Sequence, residues 1–182
     1  TEDTPVLCHL GVPRLEPASW SLEIDGQLER PRTLRYADLL RYPKVEVPSV
    51  HQCCGSPFAP FEPTRRVCNV VWGGVRLVDV LRDAAPAERA RYLWCQGADG
   101  GEFGGVVVEG YRKDLPFDRV GADVLLAHEM NGAPLSPEHG APVRLVVPGF
   151  YGTNSVKWLT RITVADQRAR EPFTTRWYSD PV

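Results

Sequence analysis

Residues 139–158 constrain this chain more than any other stretch. They read His139-Gly140-Ala141-Pro142-Val143-Arg144-Leu145-Val146-Val147-Pro148-Gly149-Phe150-Tyr151-Gly152-Thr153-Asn154-Ser155-Val156-Lys157-Trp158. The short apolar run of Leu145, Val146 and Val147 is closed by Pro142 on one side and by Pro148-Gly149 on the other. That is the pattern of a buried strand running into a tight turn. One His, one Arg and one Lys surround it, with a glycine-bearing loop between the last two. Glycine lets a backbone approach a ligand closely and present its N–H groups. Arginine offers a planar fork of donors and lysine a point charge, and both suit phosphate. Two readings stand side by side: an anionic, phosphate-bearing ligand held at a strand end, or an ordinary strand–turn–strand with surface charges.

The same punctuation runs through the chain. Seventeen prolines and sixteen glycines among short apolar runs predict a β-rich, loop-rich domain. A length of 182 residues suits one domain, residues 1–182, with room for a real core. Residues 19–26 alternate apolar and polar and turn at Asp25-Gly26, which predicts a half-buried strand. Residues 34–42 predict a short helix stopped before Pro43. Residues 45–50 predict a strand leading into His51-Gln52-Cys53-Cys54-Gly55, and residues 72–81 a turn that becomes a helix. Further strands are expected at residues 92–95, 105–109 and around Val124-Leu125-Leu126-Ala127, with a hairpin turn at Asn131-Gly132.

Composition excludes some classes of function. A formal net charge of −2 gives no footing for non-specific nucleic-acid binding. No apolar run is long enough to span a bilayer, and none forms a signal-peptide core. Cys8, Cys53, Cys54, Cys68 and Cys95 are scattered, odd in number and lack the spacing of a zinc or attached-haem motif. Thiols in a reducing compartment are the simpler reading, so a cytoplasmic location is expected, with a periplasmic one after loss of a leader as the alternative.

Several separated motifs carry a resemblance. Asn131-Gly132-Ala133-Pro134-Leu135, His139-Gly140, Pro142, Arg144, Val147-Pro148-Gly149, Gly152 and Val156-Lys157-Trp158-Leu159 occur in an order similar to that of the sulfite oxidase family. That family comprises single-pterin molybdenum oxidoreductases, among them sulfite oxidases and the molybdenum domain of assimilatory nitrate reductases. The likeness extends over roughly residues 4–164. It implies an α+β, β-rich sulfite-oxidase-type molybdopterin-binding fold, a single domain with mixed sheets and short helices. It also implies a molybdenum–molybdopterin cofactor and two-electron oxygen-atom transfer, the metal cycling between Mo(VI) and Mo(IV).

The resemblance assigns roles one residue at a time. The family's Gln-Cys-small-Gly motif falls on Gln52-Cys53-Cys54-Gly55, which makes Cys53 the expected thiolate ligand of the metal and leaves Cys54 as the alternative. A soft thiolate suits a metal that also carries dithiolene sulfurs, although most cysteines outside disulfides are buried fillers. Cys8, Cys68 and Cys95 are read as such fillers. His139, Arg144 and Lys157 match positions that bind the pterin and its phosphate, and Ser155 and Val156 share their loop and would offer backbone groups. Asp99 matches an aspartate that accepts pterin N–H groups, though an Asp before Gly100-Gly101 also suits a turn. His9 matches the histidine of an N-terminal Arg-Asn-His segment. Tyr178 matches a tyrosine near the metal that relays a proton, or else is a terminal aromatic anchor. His51 and His128 receive no role.

Departures from the family bear on substrate. Leu7-Cys8 stands where an arginine precedes the Asn-His pair, and Gly55-Ser56-Pro57-Phe58 where the family has Gly-Asn-Arg-Arg. Losing both arginines removes bidentate donors for an oxyanion. The expected substrate is therefore neither sulfite nor nitrate but a less charged small-molecule oxygen donor or acceptor, such as an organic sulfoxide. Arg65, Arg66, Arg112, Lys113 and Arg176 are the cations that could restore charge from elsewhere. A non-catalytic molybdopterin-binding or carrier protein is the competing reading. The family's immunoglobulin-like dimerisation domain and cytochrome b5-type haem segment have no counterpart here, so a monomer and a separate electron-transfer partner are expected.

Overall fold

A computed structural model describes residues 4–54 and 66–178. In chain order the elements are β1 (Ser21–Gly26), β2 (Arg32–Arg35), α1 (Tyr36–Leu39), β3 (Lys44–Gln52), β4 (Val67–Arg76), α2 (Leu77–Ala84), β5 (Tyr92–Gly97) and β6 (Gly101–Phe103). There follow β7 (Val106–Val108), β8 (Arg112–Pro116), β9 (Leu125–Met130), β10 (Ala133–Pro134), β11 (Arg144–Val146), β12 (Leu159–Ala165) and α3 (Pro172–Thr175).

One sheet runs β2-β1-β12-β5-β8 and is mixed, because β1 lies parallel to β12 while its other pairs are antiparallel. A second runs β10-β9-β4-β3 with β11 also on β9, all antiparallel, and β6 and β7 form a separate two-stranded antiparallel sheet. Mixed sheets with short helices are the β-rich α+β architecture that the resemblance implies. β1 and β5 turn alternate residues inward. Leu22 and Ile24 of β1, Leu93 of β5 and Ile162 of β12 are fully buried in the main core. The apolar stripe of α2, Leu77, Val80, Leu81 and Ala84, closes over them. Burial of each such leucine or isoleucine contributes roughly 1.5–3 kcal/mol.

The second sheet has core on both faces, and that geometry builds the site. Leu126 of β9 and Leu145 of β11 face the main core, while Leu125, Ala127 and Val146 face a smaller cluster around Trp72 and Met130. Period-two alternation then puts Arg144 on the same side of β11 as Val146, the side that holds Trp72.

Two expectations about local structure change. Residues 72–76 continue β4 and are not a turn, so the helix begins only at Leu77. Gly73 and Gly74 serve close strand packing here, not a bend. A Cβ on Gly74 would lie 2.4 Å from the Leu126 carbonyl oxygen of β9, and the register shifts between the two glycines. The helix expected over residues 34–42 shrinks to four residues, because Arg32–Arg35 pairs with β1 first. The Asn131-Gly132 turn forms as expected, both residues having positive φ (52° and 77°), as a tight hairpin requires.

Candidate functional site

β3 ends at Gln52, and Cys53 follows at its mouth, its N–H donating to the Arg66 carbonyl at 2.9 Å. The half-buried Cys53 lines a cavity of about 190 Å³ between the sheet ends. His9, Asp99, His139, Arg144, Ser155, Val156 and Lys157 line the same cavity. Eight of the nine residues singled out above thus come together from five separate stretches of chain. Tyr178, the ninth, lines a second cavity instead, but its hydroxyl hydrogen-bonds His9 Nε2.

Charge balance is the site's physical signature. Arg144 is buried, 5 % exposed, and its guanidinium donates to the carbonyls of His139 (3.0 Å) and Ser155 (3.0 Å). It lies over the Trp72 ring, 4.8 Å from the centroid. No carboxylate pairs with it among the described residues, and burial brings it down to about 10. Lys157 is similarly placed. Its ammonium donates to the carbonyls of Leu7 and Glu138, each at 2.9 Å, touches the Cys8 sulfur at 3.0 Å and sits over Trp158. Burial lowers its pKa, and the Cys8 contact opposes that. Two desolvated cations without ion-pair partners among the described residues favour an anion, since a buried charge is costly until it is paired.

Acceptors line the same cavity as these cations. Asp99 is 5 % exposed, and one carboxylate oxygen is buried without a hydrogen bond. Desolvation raises its pKa to about 6. His139 accepts or donates at Nδ1 to the Ser136 hydroxyl (2.8 Å) and leaves Nε2 buried without a partner. Burial lowers its pKa, with Arg144 adding to the effect. Ser155 is already engaged within the protein: its hydroxyl accepts the Val147 N–H at 3.0 Å and its N–H donates to Gly152. The Val156 carbonyl accepts the Leu145 N–H at 2.8 Å. Both residues thus brace the loop that carries Arg144 and Lys157. Orphaned polar atoms facing unpaired cations fit a ligand with a phosphate at one end and N–H groups at the other.

Among the lining residues that received no site role from the sequence are Cys8, Cys68 and His51. Cys95 is buried in the core, with burial pushing its thiol up to about 12; Cys68 packs against the smaller core cluster while lining the cavity, and Cys8 is half-buried beside Lys157. His51 packs edge-on to Trp72, and burial followed by the nearby Arg144 pulls its pKa down to about 3. The signal for His51 lay in period two, which puts it on the Cys53 side of β3. His128 sits away from the cavity against Tyr36.

The second cavity, about 510 Å³, lies on the other side of the cysteine pair. Cys54 lines it together with Lys113, Tyr151, Asn154 and Tyr178, and Thr153 lines both cavities. Of the cations that could restore charge, Arg112 is tied to Glu171 and Gln96, Arg176 lies over its neighbour Trp177, and Arg66 lines the first cavity. Arg65 and the segment after Cys54 fall outside the described residues. Among the described residues no group of three or more His, Cys, Asp or Glu side chains forms a metal cage, and no helix is long and apolar enough to cross a membrane.

A strand-end thiol, two cations without carboxylate partners among the described residues and a carboxylate with one open oxygen line a single cavity. The comparisons name the family: residues 9–173 match the oxidoreductase molybdopterin binding domain, and the chain belongs to that family, whose cofactor is molybdenum–molybdopterin. It is 37% identical to the sulfite oxidase of Gallus gallus over 93% of this chain and 39% of that protein. It is 32% identical to an NADH nitrate reductase of Ulva prolifera over 96% of this chain and 22% of that protein. Among solved structures it superposes on the sulfane dehydrogenase SoxCD of Paracoccus pantotrophus with a TM-score of 0.81 and 30% identity, covering 93% of this chain and 44% of that one. The chain thus spans less than half the length of each of these relatives.

Proposed function

We propose that residues 1–182 form one catalytic domain that moves an oxygen atom to or from a small, weakly charged substrate other than sulfite. The reading rests above all on Cys53, which opens into the same cavity as two cations with no carboxylate ion pair among the described residues and the open Asp99 carboxylate oxygen. Arg144 and Lys157 neutralise the pterin phosphate. Asp99 accepts pterin N–H groups, which offsets the cost of keeping that carboxylate ionised and buried. His139 Nε2 offers one more hydrogen bond, and Ser155 and Val156 hold the loop in place. Cys53 is the metal's protein ligand. Bound molybdenum supplies the two-electron redox capacity; the protein supplies orientation and electrostatics. Tyr178 and His9 form a hydrogen-bonded pair suited to carrying a proton toward the reacting oxygen. Electrons pass to or from a separate carrier.

Paired variants test the assignment. Cys53→Ser should lose the protein thiolate from the metal's X-ray absorption spectrum while Cys54→Ser keeps it, with about one molybdenum per chain in the parent from the single ligand position. The reverse pattern would overturn the ligand choice. A carrier protein would fail a second measurement, because an enzyme gives reversible Mo(V) signals in a redox titration and is reoxidised by an oxygen donor.

A further inference from the structure

We propose that Cys8 and Lys157 form a site of reversible oxidative modification, in which peroxide converts the Cys8 thiol to a sulfenic acid and the Lys157 amine captures it in a covalent sulfur–nitrogen bond. The bond follows from the geometry of the pair. Its consequence for the cofactor rests on the proposed role of Lys157 at the pterin phosphate.

The fold sets the two reacting atoms side by side. Lys157 Nζ lies 3.0 Å from Cys8 Sγ. An ammonium has three donors, and here the other two go to the carbonyls of Leu7 and Glu138, each at 2.9 Å. Those carbonyls hold the nitrogen beside the sulfur. Burial lowers the pKa of Lys157, against the opposing hydrogen bond to Cys8, and so raises the share of neutral amine, the nucleophilic form.

A small oxidant has a route to this sulfur. Cys8 is half-buried, lines the first cavity, and follows Val6 and Leu7, which are 48 % and 46 % exposed. Residues 4–15 make no backbone–backbone hydrogen bond among the described residues. Cys95, sealed in the core, offers no such access.

The chemistry closes with peroxide as the oxidant. The thiol takes one oxygen from hydrogen peroxide and releases water; sulfur supplies the two electrons. The amine then displaces the hydroxyl of the sulfenic acid, a second water leaves, and the S–N bond forms. Two equivalents of an external thiol reverse the step and leave as their disulfide. The product nitrogen carries no positive charge, so Arg144 is left as the remaining cation of the pair. The segment from Thr4 to His9, which lines the cavity, is tied to Lys157. Oxidation thereby blocks cofactor loading, and reduction restores it.

The test treats the cofactor-free full chain with hydrogen peroxide and maps tryptic peptides by mass spectrometry. The expected product joins Cys8 to Lys157, is lighter than its parts by two hydrogens, resists trypsin at Lys157 and is released by dithiothreitol. Cys68→Ser should give the same product; Cys8→Ser and Lys157→Arg should not. Pyrophosphate, by occupying Lys157, should slow its formation. After treatment the parent should need about tenfold more pyrophosphate or more for the same thermal shift. Dithiothreitol should restore the response, and Cys8→Ser should keep it throughout. Cys8 recovered in a disulfide with Cys68, or as sulfinic acid with Lys157 cut normally, would overturn the proposal. A bond that forms yet leaves the pyrophosphate response unchanged would uphold the modification and overturn the phosphate role of Lys157.

Discussion

Arg144 lies 4.8 Å above the Trp72 ring with its donors on the backbone carbonyls of Leu145, His139 and Ser155 and no carboxylate facing it among the described residues. A buried arginine normally has an ionic partner. The described residues supply none, and the strand pairing that holds β11 against β9 keeps the cation in place.

An anion should therefore stabilise the cofactor-free protein. Inorganic pyrophosphate at about a hundred times its Kd should add on the order of 2.7 kcal/mol by mass action. Thermal melts should rise with pyrophosphate in the parent, while Arg144→Met requires at least about tenfold more for the same rise. A parent melt indifferent to pyrophosphate would count against an anion site here.

Asp99 gives a pH dependence with a definite sign. Its folded pKa, about 6, exceeds that of a free carboxylate, so the native state binds its proton more tightly than the unfolded one. Its contribution to the stability of the cofactor-free protein should fall as pH rises from near 4 through 6, then level off. Asp99→Asn should remove that fall, a difference on the order of 3 kcal/mol between the ends of the window. Urea denaturation of both proteins across this range measures it.

His51 pulls the other way over an overlapping window. With a folded pKa near 3 against an ordinary 6.5, the unfolded state binds the extra proton, so this group's contribution is lost as pH falls below 6.5. The two slopes oppose one another, and only single variants separate them. Imidazole NMR should find His51 neutral down to about pH 4.5, and Arg144→Met should raise its pKa, because the cation that disfavours its protonation is gone.

The two adjacent glycines of β4 should behave differently. Gly74→Ala drives a methyl into the Leu126 backbone and should cost about 3 kcal/mol. At Gly73 the nearest atom, 2.9 Å away, is the tip of the Glu129 side chain, although its Cβ at 3.0 Å must also yield. Gly73→Ala should cost about half as much or less. Urea midpoints at unchanged m-value would establish the contrast.

Much of this architecture was legible where local signals were dense. Alternation marks β1, β3 and β5, and the Asn131-Gly132 turn follows from backbone chemistry alone. β8 carries no such signal, since Arg112-Lys113-Asp114 reads as a solvated charge run. It folds as a strand because Lys113 and Asp114 satisfy their charges on two carbonyls and on Arg168, partners distant in sequence. β12 was not read as a strand: Ile162 and Val164 alternate, but Leu159 joins their buried side only because the register shifts between Leu159 and Arg161. In the site, motif order led to Arg144 and Lys157, but nothing local says that they lack carboxylates. Cys8 reaches Lys157 across 149 residues, a contact no spacing rule anticipates.

The paired register of β3 and β4 runs unbroken from Lys44↔Val75 to Gln52↔Val67. It delivers two adjacent sulfurs to two different chambers. A slip of one residue would exchange them. The choice of which sulfur meets which chamber is thus made by a nine-rung ladder beginning far from either thiol, and a lesion near Lys44 or Val75 could silence the centre without touching any group that lines it.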